Sequence, residues 1–410
     1  MKRVDVYYEG WGEKWKLGTL AHHERIVMFE YSNEALSQQL ELSPLCLPLQ
    51  KPGFSDFPRH QHQLPGLIAD SLPDGWGMLV MDRLLKKSGV SLHTVSPLDR
   101  LALLGSQAMG ALTFYPANNS LVPRPVKLGL LDLAMQAQLV LKGRDSELLK
   151  ELMLTGGSPH GARPKALVHY NPESGYMSTQ PSTEESSRPW LVKFQAENEH
   201  KEVCAIEHGY AQLACECGLD IPKTAYFELS SKLSGFGIER FDVEELMRVP
   251  TLTLAGSLDA DFRTPELSYL NFLQATTHIT KDAREVEKAF ARMVFNVLFN
   301  NRDDHPKNFS FRLNRQREWK LAPCYDLTYS KGPGGYHQMD VLGEAFNISR
   351  KELLAIASAV SLSAAKAKSI IDRQLDVAEN LGKMLKQQKI RAATIKDIAV
   401  QVTGNINRLK

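Results

Sequence analysis

The sequence of 410 residues predicts an α+β protein, in which a small β-rich N-terminal domain precedes a body with a strand-rich first half and a helix-rich second half. Three observations predict this class. Segments rich in β-branched and aromatic residues fill the N-terminal region. Short apolar strands then alternate with helical patterns. From about Leu267 onward the apolar spacing is mainly helical, apart from one strand-rich stretch over Asn308–Leu321.

The N-terminal domain, which we expect over residues 1–122, begins with three strands, VDVYYEG, WKLGTL and RIVMFEYS. The Pro-rich stretch LSPLCLPLQKPGFSDFP follows, and it cannot form a regular helix because proline lacks the amide hydrogen that a helix needs. Helical periodicity returns over Trp76–Leu85, and Ala111–Pro116 has the pattern of a closing strand. The polar, Pro-containing segment ANNSLVPRPVK is then the candidate linker.

The body divides into a strand-rich part, expected over residues 123–245, and a helical part, expected over residues 246–410. In the strand-rich part we expect a helix over Asp145–Leu154 and then the strands KALVHY, PWLVKF, TAYFEL and GFGIERF. The apolar spacing of Glu199–Cys217 predicts a second helix. The polar insertion Asn171–Pro189 has the composition of a mobile segment.

Composition and charge place the chain among ordinary globular proteins. It is 43% hydrophobic and 23% charged, and 49 basic against 47 acidic residues give a net charge of +2, which does not indicate a nucleic-acid coat or a membrane surface. The first residues lack the apolar core of a signal peptide, and no apolar run reaches the ~18 residues of a membrane span. The five cysteines are irregularly spaced, which favours reduced thiols over disulfides or a metal site. We therefore expect a cytoplasmic protein.

The segment NNRDDHPKNFSF, followed by LAPCYDL, carries the most chemical information. It places Asp303, then Asn308, then Asp326 in the order that a phosphotransferase requires of its catalytic and metal loops. A carboxylate must orient the acceptor hydroxyl and take its proton, which is the role expected of Asp303. Mg²⁺ prefers oxygen ligands and takes few of them from protein, so Asn308 and Asp326 are the expected metal ligands.

An alternative is that Asp and Asn crowd here because loops favour them. However, the strongly apolar helix ARMVFNVLFN precedes the cluster and the strand FSFRL follows it. A buried helix that delivers Asp, His and Asn directly into a strand is not typical of a surface turn, and the functional interpretation is preferred.

Lys193 lies in the apolar strand Trp190–Phe194, where a lysine costs free energy unless it is paired. A kinase places such a lysine on the ATP phosphates and orients it with a glutamate on a helix. Glu207, on the helix that follows, is the candidate, whereas we expect Glu199 and Glu202 to be solvated. The alternative is that Lys193 belongs to an edge strand and points to water.

The glycine-rich segment Gly156–Lys165 precedes the strand KALVHY. It does not fit the Walker pattern, since Ala162 follows Gly161 where the lysine should stand. Such a loop can still present backbone N–H groups to phosphate, although a Gly/Pro cluster is also typical of a plain turn. Farther along, Gly237–Val243 ends a strand and is the expected hinge, where an adenine would bond to the backbone.

In this order the motifs resemble the HipA family, kinase toxins of bacterial toxin–antitoxin modules. LCLPLQ, SLPDGW and LLGSQAMGAL resemble the N-terminal subdomain, and SPHGARPKA, WLVKF, IERFD, DDHPKNFSF and LAPCYDL resemble the kinase core. The resemblance covers nearly the whole chain. It implies a bilobal, protein-kinase-like fold with a helical C-terminal lobe, and ATP and Mg²⁺ as cofactors.

The resemblance also assigns site residues. It makes Asp303 the catalytic base and gives Mg²⁺ to Asn308 and Asp326, and it places an autophosphorylated serine at Ser158, where the alternative is an ordinary loop serine. A phosphate at Ser158 would add a charge of about −1.5 to −2 beside the ATP phosphates and so inhibit the enzyme. The residues expected to contact the nucleotide are His160, Gly161, Ala162, Arg163, Pro164, Lys165, Lys193, Glu207, Glu239, Arg240, Phe241, His305, Lys307 and Tyr325.

The sequence departs from the family pattern at Asp304, which replaces the glycine that usually follows the catalytic aspartate. The departure raises the question of which aspartate is the base, and the spacing to Asn308 favours Asp303. The Asn171–Pro189 insertion has no assigned role.

The function implied is a serine/threonine protein kinase that acts as a toxin on a cytoplasmic protein, such as an aminoacyl-tRNA synthetase, and that also phosphorylates itself. A helix-turn-helix antitoxin of the HipB type would restrain it and would supply its only link to DNA. No membrane partner is expected. Two alternatives remain open: a small-molecule kinase on the same fold, and a catalytically idle, partner-binding component of a transcriptional regulator. The intact set Lys193, Asp303, Asn308 and Asp326 counts against the second.

Overall fold

A computed structural model describes residues 1–23, 26–117, 129–144, 146, 148–156, 161–179 and 186–410. The chain forms two compact units. The first comprises Met1–Lys201 with Ala225–Leu252, and the second comprises Glu202–Thr224 with Thr253–Lys410. Both contain strands and helices, as the α+β prediction requires. The predicted division at residues 122 and 245 stays a proposal.

The N-terminal part of the first unit is built on a four-stranded antiparallel sheet in the order β3-β2-β1-β4. The strands are β1 (Arg3–Tyr8), β2 (Trp15–His23), β3 (Ile26–Tyr31) and β4 (Leu112–Tyr115). Alternate residues of β1 are buried, because one face of the sheet packs on the core. All four predicted strands are confirmed. The helices here are α1 (Asn33–Gln38), α2 (Gly66–Ala69), α3 (Gly75–Lys87) and α4 (Pro97–Leu104).

The second sheet of this unit has five strands in the order β6-β5-β7-β9-β8. They are β5 (Lys165–Tyr170), β6 (Met177–Ser178), β7 (Arg188–Phe194), β8 (Thr224–Glu228) and β9 (Ser234–Glu239). A two-stranded ribbon, β10 (Val243–Glu244) and β11 (Met247–Arg248), follows. The helices are α5 (Leu130–Leu141) and α6 (Leu149–Gly156), so the helix predicted over Asp145–Leu154 lies a few residues later.

The position of β7 in the sheet decides whether Lys193 lies on an edge strand. Because β7 lies between β5 and β9, it is an interior strand, and Lys193 is only 6% exposed. The interpretation of Lys193 as an edge-strand residue that points to water is therefore wrong.

The second unit is mainly helical, as predicted. Its helices are α7 (Glu202–Glu216), α8 (Leu254–Ser257), α9 (Tyr269–Thr280), α10 (Ala283–Leu298), α11 (Arg350–Ala359), α12 (Ala364–Ala378), α13 (Leu381–Lys386) and α14 (Ala392–Leu409). Strand β12 (Thr251–Thr253) spans the boundary of the units, and β13 (Ser310–Leu313) pairs with β14 (Trp319–Leu321). Every residue of α10 from Arg292 to its end is buried, because neighbouring helices surround it. This helix leads directly into the segment that holds Asp303.

No helix in the described ranges combines the length and the apolar character that crossing a bilayer requires. Of the cysteines, Cys204, Cys217 and Cys324 are buried and Cys215 is exposed.

Candidate functional site

The loop that follows α10 is closed by a hydrogen bond between the Asn308 side chain and the main chain of Asp303. The Asn308 side chain is buried, and its Nδ2 donates a hydrogen bond of 2.6 Å to the main-chain oxygen of Asp303. This bond fixes the amide, so that its other atom, Oδ1, is the one that can ligate a cation. The Asp303 side chain is 54% exposed, and its carboxylate lies 4.0 Å from Nε2 of His305. Asp303 can therefore reach a molecule that binds from solvent.

Asp304, next to it, has the opposite environment. It is fully buried, and its carboxylate accepts hydrogen bonds from the Tyr269 hydroxyl (2.7 Å) and the Gln338 amide (2.8 Å) and contacts His337 Nδ1 at 2.7 Å. Burial and the nearby Asp304 carboxylate raise the pKa of Tyr269 well above its usual value. Asp304 is thus part of the interior, and of the two aspartates Asp303 is the one exposed to a substrate.

The second loop, at Tyr325 and Asp326, lies against the first. The Tyr325 hydroxyl donates to the main-chain oxygen of Lys307 at 2.7 Å and lies 2.5 Å from Oγ of Ser310. Asp326 is half-buried and has a left-handed backbone with φ of 55°, which is uncommon for residues other than glycine. Backbone strain of this kind is found where surrounding structure fixes a functional side chain.

The Arg292 side chain, on α10, forms hydrogen bonds with both loops. Its side chain is 1% exposed, and Nη2 donates to the main-chain oxygens of Asn308 (2.5 Å) and Tyr325 (3.3 Å). The guanidinium carbon lies 4.7 Å from the ring centroid of Phe309 and 5.2 Å from that of Tyr325. Nε and Nη1 of Arg292 have no hydrogen-bond partner in the described part of the chain. Arg292 was not among the site residues predicted from the sequence, although a cation inside an apolar helix is a signal that the sequence contains.

A chain of polar side chains makes a further connection between the loops. Asn296 donates to the Tyr269 hydroxyl, whose own hydrogen bond goes to Asp304. Asn301 donates to Oδ1 of Asn296 at 3.0 Å and approaches the main-chain oxygen of Asp326 at 3.5 Å. Since each member is buried or half-buried, a change in one of them shifts the others.

Gln338 contacts the Asp303 side chain itself. Its Nε2 donates to Oδ1 of Asp303 at 3.1 Å, and its main-chain N–H holds Asp304. One residue therefore contacts both aspartates, and its side chain fixes the direction of the exposed carboxylate.

In the first unit, Lys165 and Lys193 are opposite each other on β5 and β7 and are 2% and 6% exposed. Side chains of directly opposed residues lie on the same face of a sheet, where like charges repel. Gly161 has φ of 102°, and a Cβ added there would lie 2.6 Å from Nζ of Lys165. Two buried lysines, one of them beside a glycine, can contribute positive charge to a site for an anion such as a phosphate.

Other loop residues have contacts of their own. The Arg163 guanidinium forms an ion pair of 2.9 Å with Glu199. Ala162 is exposed, and the main-chain oxygen of buried Pro164 accepts from Phe194 at 2.8 Å. Ser158 and His160 lie outside the described residues.

The expectation that Glu202 is solvated is wrong, because Glu202 is 3% exposed and bonded to Arg391 and Thr394 of α14. The Glu199 side chain is 30% exposed and pairs with Arg163. Burial alone would raise the pKa of Glu202, but the hydrogen bonds with Arg391 lower it. Glu207, also on α7, is 3% exposed.

At the predicted hinge, the Arg240 N–H already donates to the main-chain oxygen of Pro189 at 2.9 Å. The Arg240 guanidinium forms two hydrogen bonds with Asp242, of 2.9 Å and 2.7 Å. An adenine would therefore have to use the backbone of Glu239 or Phe241. Asp242 is 2% exposed and also accepts from the Gly110 N–H.

The predicted site residues thus form two groups. Within the second unit the structure brings together the six residues Asp303, His305, Lys307, Asn308, Tyr325 and Asp326, and Nζ of Lys307 lies 4.5 Å from the ring centroid of Phe262. Within the first unit Gly161, Lys165 and Lys193 lie together. The amide and carboxylate oxygens of the first group fit Mg²⁺, and the lysines of the second fit phosphate.

Two family models match this chain. A model of the HipA N-terminal domain matches residues 5–115, and a model of the HipA-like C-terminal domain matches residues 157–381. The chain is also 24% identical over 363 residues to the Sinorhizobium fredii protein named "Putative kinase Y4dM", which covers 84% of this chain and 81% of that protein.

Solved structures with a similar fold include the Shewanella oneidensis MR-1 toxin–antitoxin system of HipA, HipB and its operator DNA. This match has a TM-score of 0.71 and 18% identity, and it covers 99% of this chain and 96% of that one. The Helicobacter pylori proinflammatory kinase CtkA matches with a TM-score of 0.40 and 11% identity, over 59% of this chain and 93% of that one. The predicted α+β, HipA-like fold is confirmed.

Proposed function

The chain belongs to the HipA family, and on that basis we propose that it is an ATP- and Mg²⁺-dependent serine/threonine protein kinase. The observation that carries the proposal is the loop in which an exposed Asp303 carboxylate stands beside a buried, oriented Asn308. This pair matches the base and the metal ligand of a kinase catalytic loop. The buried lysines Lys165 and Lys193 support a phosphate site.

In the proposed reaction each residue has one role. Asp303 accepts a hydrogen bond from the acceptor hydroxyl and so orients that hydroxyl. It then takes the hydroxyl proton as the hydroxyl oxygen attacks the phosphoryl group that is transferred. Asn308 Oδ1 and the Asp326 carboxylate would hold Mg²⁺, and Lys165 and Lys193 would hold phosphate oxygens. When bound, Mg²⁺ and ATP supply the phosphoryl group and a charge that offsets the negative charge of the phosphates.

The partners are proposed from the relatives. A HipA solved with HipB and operator DNA has the same fold, and we propose that this chain likewise acts as a toxin restrained by a helix-turn-helix antitoxin. The substrate would be a cytoplasmic protein, such as an aminoacyl-tRNA synthetase. DNA would be reached through the antitoxin alone.

The test is phosphate transfer from labelled ATP. With Mg²⁺, the purified chain should label itself or a protein of a cell extract, and Asp303→Ala should reduce labelling by at least about a hundredfold, since it removes the general base. Asp372→Ala is the matched control: the Asp372 side chain is 58% exposed and pairs with Arg350 on the neighbouring helix. Labelling by Asp303→Ala equal to that of the control would contradict the proposal.

Autophosphorylation at Ser158 belongs to the same proposal. Mass spectrometry of the self-labelled chain should find the phosphate on the peptide that contains Ser158. Transfer of label only to sugars or alcohols in the extract would instead favour a small-molecule kinase.

A further inference from the structure

The N-terminal motif SLPDGW has no part in the chemistry proposed so far, yet it contacts the glycine-rich loop directly. The Gly161 N–H donates a hydrogen bond to Oδ1 of Asp74, and the Gly161 carbonyl accepts one of 3.0 Å from the Trp76 N–H. Asp74 and Trp76 therefore bind both backbone polar groups of Gly161, its N–H and its carbonyl oxygen. Two such bonds fix the orientation of the backbone as well as its position.

The residue between them shows how close the contact is. Gly75 has φ of 40°, and a Cβ at this position would lie 2.7 Å from the Gly161 carbonyl oxygen and 2.8 Å from the Ala162 Cα. No side chain larger than hydrogen fits there unless the loop moves. On its other side Gly161 faces Nζ of Lys165, so the glycine lies between the turn and the lysine.

The Asp74 side chain bonds to Gly161 and does not cap its own helix. Asp74 is the N-cap residue of α3, where an aspartate usually accepts a hydrogen bond from the first turn, but its side chain forms no such bond. Forgoing the cap lowers the stability of a helix in general. Trp76, at the start of α3, is 1% exposed and anchors the turn in the core.

We propose that Asp74, together with Gly75 and Trp76, is a positioning element that holds the backbone at Gly161 and Ala162 beside Lys165 and so contributes to ATP binding. The Gly161 N–H is occupied by Asp74, and the turn sets the place of Gly161 for the phosphates. This inference rests on the proposed function, since it assigns the anion at the lysines to ATP. Asp74 acts through the loop and touches no reacting atom.

The experiment compares Asp74→Ala, Asp74→Asn and Asp82→Asn with the wild type in two measurements. Asp82 is the matched control, because it lies on α3 and pairs with Arg100 at 2.6 Å without contacting the loop. Hydrogen exchange without nucleotide reports the protection of the Gly161 amide, and fluorescence titration with a labelled ATP analogue reports the Kd. For Asp74→Ala we expect loss of that protection and about a tenfold weaker Kd, the usual effect of losing one hydrogen bond to a charged group.

Asp74→Asn keeps an acceptor oxygen and should recover part of both losses, while Asp82→Asn should match the wild type in both. Wild-type and Asp74→Ala chains with equal Kd values would overturn the inference and leave the kinase proposal intact. A wild type that binds no nucleotide would overturn both. An equal change in Asp74→Ala and Asp82→Asn would show a general structural effect, which also contradicts a positioning role.

Discussion

Arg292 is a charged group placed where charge is costly. A buried cation needs hydrogen bonds or a counterion, and here two main-chain oxygens and two aromatic rings surround the guanidinium. Because the two oxygens belong to Asn308 and Tyr325, the same side chain sets the distance between the two loops that carry the proposed metal ligands. Arg292 is therefore expected to affect metal binding without touching the metal.

We predict that Arg292→Met, which keeps an unbranched apolar stem but removes the donors, raises the Mg²⁺ concentration needed for half-maximal labelling by about tenfold or more, the usual loss for one charged hydrogen bond. Arg292→Lys should restore part of the effect. The control is Asn405→Leu, since Asn405 donates to the carbonyls of Val297 and Leu298 on the same helix, away from the loops. Asn405→Leu should lower the Tm and leave the Mg²⁺ dependence unchanged; an equal shift in both variants would contradict a role in metal binding.

The residues of the proposed catalytic loop were selected from local spacing, whereas their environments could not be read from it. Asp303 and Asp304 are adjacent in the sequence, and only the contacts of Asp304 with Tyr269 and His337, far along the chain, show which one is buried. Glu202 was expected in solvent because its partner, Arg391, is 189 positions away. Periodicity detects which face of a helix is apolar, but it cannot detect a distant ion pair.

Among the elements, the ribbon after β9 shows what the LLGSQAMGAL motif does in the fold. The Arg248 guanidinium on β11 donates to the carbonyls of Ser106 (2.8 Å), Gly110 (2.6 Å) and Leu112 (3.1 Å), and also to that of Ala108. The loop before β4 thus wraps around one arginine. Asp242 completes the junction by accepting from Gly110 and pairing with Arg240.

The pKa of Asp242 gives this junction a pH dependence. Burial alone would raise the pKa, but the Arg240 charge and the Gly110 N–H hold it below its ordinary value of 3.8. A carboxyl with a lowered pKa in the folded state contributes stability that is full above the ordinary value and is lost as the pH falls through the lowered one. The contribution of Asp242 is therefore complete at neutral pH.

We predict that Asp242→Asn lowers the free energy of unfolding at pH 7 by about 3–5 kcal/mol, because it leaves half-buried arginines without their buried carboxylate. The difference from the wild type should shrink as the pH falls below 3.8. Urea denaturation at a series of pH values measures both effects. Asp372→Asn, at an exposed pair, should change stability by less than about 1 kcal/mol, and a pH-independent difference for Asp242→Asn would refute the role of its charge.

Strands and long helices followed from the sequence because period-two and helical patterns are local. The strands of the first sheet and the buried helix α10 lie where they were predicted. The order β5-β7-β9 was not accessible, since pairing between strands is not a local pattern, and the edge-strand alternative for Lys193 therefore stayed open until the structure excluded it. Helix α6 begins four residues after its predicted start at Asp145, since the ends of helices are the least certain part of such a prediction.

At the scale of the whole molecule, a net charge of +2 on 410 residues provides little attraction for the phosphate backbone of DNA. We predict that the purified chain alone does not retard an operator fragment in a gel at physiological salt. Together with the proposed helix-turn-helix antitoxin, it should retard the fragment further than that protein does alone. Retardation by the chain alone would contradict the proposal that DNA contact is indirect.

The hydrogen bond between Asp74 and Gly161 joins residues 87 positions apart. A chain shortened to begin at residue 123 would keep every proposed catalytic and metal-binding group and would lose the residue that anchors its own glycine-rich loop. The N-terminal region therefore cannot be removed without effect. A chain without it should keep Lys165 and Lys193 but lose the hydrogen bond that holds the backbone at Gly161.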